Sequence, residues 1–134
     1  MKQPVVRIVR SLFMACDPIG NVLLAKFTFD SGRPVSVFLP SHIVFWLLRH
    51  VPVNQDPELQ PPPQAEPLLE HEWDSQFSPT VVTLNCNQFQ DALRMTMELD
   101  NRKELVLLLN RSNIEMLRQL LELYRGQLVD LDAA

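Results

Sequence analysis

Two cysteines, three histidines and one acidic cluster are the places where this 134-residue sequence could do chemistry. Cys16 and Cys86 would act as nucleophiles only beside a base that lowers the thiol pKa, and no Cys/His/Asn arrangement accompanies them. Their spacing makes no CxxC or other zinc pattern, so both read as small, buried, inert side chains. The run Glu70-His71-Glu72-Trp73-Asp74 gathers four metal-capable groups. It lacks the HExxH spacing that sets two histidines on one helical face, and His42 and His50 lie elsewhere, so it reads as a solvated acidic tether. Only three glycines occur, Gly20, Gly32 and Gly126, each in a turn or cap context. Phosphate cradles need the close backbone approach that glycine allows, and no GxGxxG, P-loop or GxSxG is present. The sequence assigns no catalytic, metal-binding or cofactor-binding residue, and the expectation is a protein that is not an enzyme.

The elements that would position any site are easier to read. "NVLLAKFTFD" alternates Leu23, Ala25, Phe27 and Phe29 with Val22, Leu24, Lys26 and Thr28. Seventy positions later "DALRMTMELD" alternates Leu93, Met95, Met97 and Leu99 with Ala92, Arg94, Thr96 and Glu98 in the same phase. Period two marks a strand with one buried face. Asp30-Ser31-Gly32-Arg33 and Asp100-Asn101-Arg102-Lys103 follow as turns led by an aspartate, then the apolar runs "VSVFL" and "LVLLL" return as antiparallel partners. Ser41 and Ser112 are placed to cap helices, and the second helix runs toward Gly126. A further strand precedes each hairpin, Val5 to Met14 and Thr80 to Cys86. "DALRMTMEL" also admits a helical reading through Phe89, Leu93 and Met97, but the aromatic and β-branched residues of the equivalent "KFTFDSGRPVSV" favour strands.

The expected fold is therefore α+β. Two pseudo-symmetric β-β-β-α units, 5–51 and 80–128, form a six-stranded mainly antiparallel sheet, or two three-stranded sheets, with two packed helices. An ungapped offset of 70 pairs Cys16 with Cys86, Leu23 with Leu93, Asp30 with Asp100, Leu39 with Leu109 and Leu47 with Leu117. Residues 52–79, with seven of the eleven prolines, form a Pro-rich linker, because proline fixes φ and lacks a backbone donor. Its end, with Leu68, Leu69, Trp73 and Phe77, is expected to dock on a folded surface, and 129–134 to fray.

Charge is unevenly placed: residues 1–51 carry +4, the linker −6 and residues 80–134 −2. Arg7 and Arg10 interrupt the first apolar run, which argues against an export signal, and no run approaches the ~20 apolar residues of a membrane span. With two cysteines only, a reducing cytoplasm is the expected location.

Partners are expected along the first helix, where Ile43 to Leu48 is apolar without interruption and needs cover on both sides. The interface residues are Phe45, Trp46, Arg49, Trp73 and Phe77, and the function so read is a protein-interaction or scaffold module, self-associating or holding a protein partner. The alternative is a single-stranded nucleic-acid-binding module using Arg7, Phe13, Lys26 and Arg94, with the acidic linker as autoinhibitor. Single-strand binding needs a positive groove with stacking aromatics, and a pI near 5.3 disfavours it.

Overall fold

The computed structural model describes residues 5–17, 19, 21–52 and 68–128; much of the expected Pro-rich linker and all of the expected frayed tail lie outside them. Chain order is β1 (Val6–Asp17), β2 (Val22–Phe29), β3 (Val35–Pro40), α1 (Ser41–His50), a 3-10 turn (Glu70–Trp73), β4 (Val81–Phe89), β5 (Ala92–Leu99), β6 (Glu104–Leu109) and α2 (Arg111–Tyr124), which a second 3-10 turn (Arg125–Gln127) ends. The α+β expectation and the six strands hold, including the strand at Ala92–Leu99, which lies extended beside Leu105–Leu109. None of the described helices is long and apolar enough to cross a membrane.

The strands make one sheet, in the order β3-β2-β1-β6-β5-β4. Within each half the pairing is antiparallel, as hairpins dictate. The two halves join through a parallel pair, Val6↔Val106, Arg7↔Leu107 and Ile8↔Leu108, so the sheet is mixed and not antiparallel throughout. A hairpin announces its own pairing through its turn, whereas a contact between the first strand and the last has no local signature. The edge strands also meet at one point, where Phe38 pairs with Thr80 and its N–H donates to the Pro79 carbonyl at 2.8 Å. The sheet is thus curled, and its concave face encloses one core drawn from all six strands and both helices. Leu23, Ala25, Phe27 and Phe29 from β2 and Leu93, Met95, Met97 and Leu99 from β5 all lie in it, as the alternation predicts.

Registers correct one expectation. The first hairpin closes Asp17↔Val22 across residues 18–21, while the second closes Phe89↔Ala92 across Gln90 and Asp91, with Gln90 at φ 56°. The offset between halves is therefore 72 in β1 and β4, although it is 70 from β2 and β5 onward. Cys86 faces Met95, just as Met14 faces Ala25, whereas Cys16 faces Leu23. Cys86 occupies the place of Met14, and the two cysteines are not equivalent. Both are free thiols.

The helix starts also differ from expectation. At α1 the cap position is Pro40, with no side-chain cap bond, and Ser41 is the first helical residue, its hydroxyl accepting from Asn21 Nδ2 at 2.9 Å. At α2 the cap is Asn110, whose Oδ1 accepts from Asn113 N at 2.9 Å, so Ser112 sits inside the helix. Asn is as good a cap as Ser, and Asn110 precedes Ser112 in the chain. Asp100 likewise stitches β4 instead of its own turn, accepting from Thr80 N at 3.2 Å. On α2 the helically spaced Ile114, Leu117, Leu120 and Leu121 are buried, and so is the charged Glu115. Arg118 and Gln119 bond its carboxylate, and the Arg118 hydrogen bond chiefly holds the carboxyl below its ordinary pKa range.

Candidate interaction surface

Residues 68–79 form a strap over the convex side of β2 and β3, and its chemistry is that of a buried ion pair. Lys26 points outward from the sheet, yet it and Glu72 keep only 3% and 6% of their accessible surface. Lys26 Nζ lies 2.9 Å from Glu72 Oε1, and Glu72 Oε2 accepts from Leu69 N at 2.8 Å. The 3-10 turn turns Glu72 inward between exposed Glu70 and His71 on one side and Trp73 on the other. Ser78 completes the seal, bonded to Ser36 Oγ at 2.8 Å and donating to the Glu72 carbonyl. Trp73 packs on Phe38 with ring centroids 6.4 Å apart, while Phe77 stands edge-on to His71 at 4.6 Å and remains exposed.

For Glu72 this overturns the reading of a solvated tether, while Glu70, His71 and Asp74 are exposed. Glu72 is committed to Lys26, and among the described residues no three His, Cys, Asp or Glu side chains group to hold a metal. The sequence carried a partial signal: a lysine at the centre of an apolar strand, and one uncommitted acidic run in the linker to meet it. Which of three carboxylates would answer was not readable, because the turn that selects Glu72 is set by docking.

Of the four nucleic-acid candidates, Phe13, Lys26 and Arg94 alternate to the outer face of the sheet, whereas Arg7 turns to the inward Phe29. Lys26 is covered by the strap. Arg7 lies over the Phe29 ring, 3.6 Å from its centroid, and donates to the carbonyls of Ser31 and Arg33, so its charge serves the β2–β3 turn. Gly32 lies at φ 90°, a backbone conformation that L side chains rarely adopt, so glycine is favoured in this turn. Phe13 lies opposite Lys26 on β1, half-buried, and Arg94 is exposed on β5 between Asn87 and Leu108.

The five expected interface residues fall in two places. Phe45 and Trp46 are half-buried on α1, with Trp46 stacked on His50 at 4.0 Å and Arg49 exposed beside them. Trp73 and Phe77 belong to the strap. The cover that α1 needs comes from the second half of the chain, through β4 and α2.

That packing leaves an asymmetry. Along β1, beyond its short parallel pair, α2 takes up the free carbonyls: Asn113 Nδ2 donates to Val9 O at 3.1 Å and Arg10 O at 3.3 Å, and Tyr124 Oη to Met14 O at 3.1 Å. Along β4, α1 occupies the corresponding position, but it has 10 residues against the 14 of α2. Beyond Thr80, no backbone partner lies on the outer edge of β4 among the described residues. Thr83, Asn85, Asn87, Gln88 and Phe89 are all exposed, Phe89 at 72%. Sequence reasoning missed this edge, although a signal existed: no charged residue occurs from Ser75 to Gln90.

Cys86, between Asn85 and Asn87, turns inward, and burial pushes its thiol up to about 12. Cys16 is raised as well, by burial and then by Asp17. At pH 8 the thiolate fraction of Cys86 is about a thousandfold below that of an ordinary cysteine. Alkylation of the native protein at that pH is expected to leave Cys86 unlabelled by mass spectrometry after peptide digestion, with full labelling in denaturant; rapid native labelling would contradict the burial.

No protein-family model, curated protein or solved structure matches this chain significantly.

Proposed function

We propose that the protein is a non-enzymatic protein-interaction module, built by internal duplication of a β-β-β-α unit, that holds a protein partner or a second copy through its α1–β4 side. The observation that carries this is the uncovered outer edge of β4 next to α1, a helix whose Phe45, Trp46 and Leu48 are only half-buried. Unpaired strand edges and partly covered apolar helices are surfaces that proteins normally shield, and leaving both on one side supports contact there. The duplication is supported by equal lengths of β2 and β5 and of β3 and β6, and by one bulge in each half, at Val9/Ser11 and at Val81/Thr83. Two free thiols are in keeping with a reducing compartment.

The test is Trp46→Ala, with Arg49→Glu as a companion that touches no core residue. Both variants are expected to keep the parent's far-UV circular dichroism and to lose self-association or partner binding, read by sedimentation velocity against the 15.5 kDa monomer. If both fold and sediment and bind as the parent does, the assignment of this side fails.

A further inference from the structure

Resting on that reading, we infer that the occupant of the β4 edge is β4 of a second copy, the two strands pairing antiparallel about a twofold axis so that two six-stranded sheets become continuous. Strand edges in monomeric proteins are blunted by charge, proline or shortness. The other edge of this sheet follows that rule, since β3 has six residues, follows Pro34 and ends in Pro40. β4 breaks it on all three counts: nine residues, no proline and no charge in VVTLNCNQF.

Three features favour an identical strand over an unrelated peptide. An isologous contact sets each residue against another of the same strand, so a neutral strand meets no like charge, even though the whole chain carries −4. Asn85 and Asn87 lie on the convex face and Gln88 is exposed beside them; each amide both donates and accepts, so copies of this strand satisfy one another across the pair. Exposed Phe89 at the strand's end supplies apolar area that, in an antiparallel pair, lies over the beginning of the partner's strand. The α1 helix packs against the same strand, so a second copy on the edge also approaches Trp46 and Arg49.

Charge placed on the convex face of β4 tests this without touching the core. The variant Asn85→Lys with Asn87→Lys and the variant Asn85→Asp with Asn87→Asp are each expected to remain folded and to self-associate at least about tenfold more weakly than the parent, because like charges then face each other across the twofold. Mixing the two is expected to restore a dimer containing one of each, seen by sedimentation and native mass spectrometry. A parent that stays monomeric across an about 100-fold range of concentration, or lysine and aspartate variants that dimerise as the parent does, would overturn the inference. In the latter case loss of the dimer by Trp46→Ala would leave the α1 reading standing, which keeps the two failures apart. Heterodimer formation without homodimer formation in the parent would show that the introduced charges alone make the contact, and would also overturn it.

Discussion

Glu72→Ala is expected to lower the free energy of unfolding by about 3–5 kcal/mol, the range for removing one partner of a buried ion pair. Lys26 and Glu72 are both almost fully enclosed, so the alanine leaves an ammonium in apolar surroundings with no counter-charge, and it also frees the Leu69 N–H. For a chain of this size the loss corresponds to a fall in Tm of roughly 10–20 °C. Replacing both partners, Lys26→Met with Glu72→Leu, should recover most of the loss, because the cost lies in the stranded charge and not in the missing attraction. Urea unfolding of the parent, the single variant and the double variant checks this. A Glu72→Ala midpoint within error of the parent's would mean that Lys26 reaches water and that the strap does not seal it.

The second large effect is expected at Leu107, which is fully buried in β6 between Met95 of β5 and Arg7 of β1. Leu107→Ala deletes packing at the seam between the halves and should cost about 2–5 kcal/mol, depending on how far the site collapses. The diagnostic is where the loss appears. Both tryptophans, Trp46 and Trp73, lie before β4, whereas Leu107 lies after it. Since one core cluster spans both halves, tryptophan fluorescence and far-UV circular dichroism should move together to the same lower midpoint. If fluorescence keeps the parent's midpoint while dichroism falls, the halves unfold separately and the seam does not couple them.

What could be read in advance follows the range of the interaction. β2, β3, β5 and β6 were legible because alternation of Leu23 through Phe29 and of Leu93 through Leu99 is a local pattern with a direct physical meaning. The strand at β5, which has a competing helical periodicity, was recovered because its counterpart at β2 does not. Interactions joining distant segments were not legible. Lys26 looked like a surface cation on a half-buried strand, because nothing within β2 says that a turn more than forty residues away delivers Glu72 to it. The burial of Glu115 has no local signature either, because it depends on where α2 lies on β1. Sequence identity aligns Cys86 with Cys16, and only the pairing reveals the two-residue difference in turn length that separates them. The open side of β4 could have been noticed from its missing charges, but an edge strand is defined by what does not lie beside it. For the same reason Phe45, Trp46, Arg49, Trp73 and Phe77 were grouped by composition, and the fold divides them between α1 and the strap.

The seam at Val6–Ile8 also bears on how the chain is made. Val6 and Val106 are 100 positions apart, so β1 waits for the later-made β6 before its amides on that side find partners. During synthesis the amino-terminal three strands stand as an incomplete sheet with Leu12 and Met14 not yet covered by α2. Commitment to the native state therefore waits until both β6 and α2 have been made.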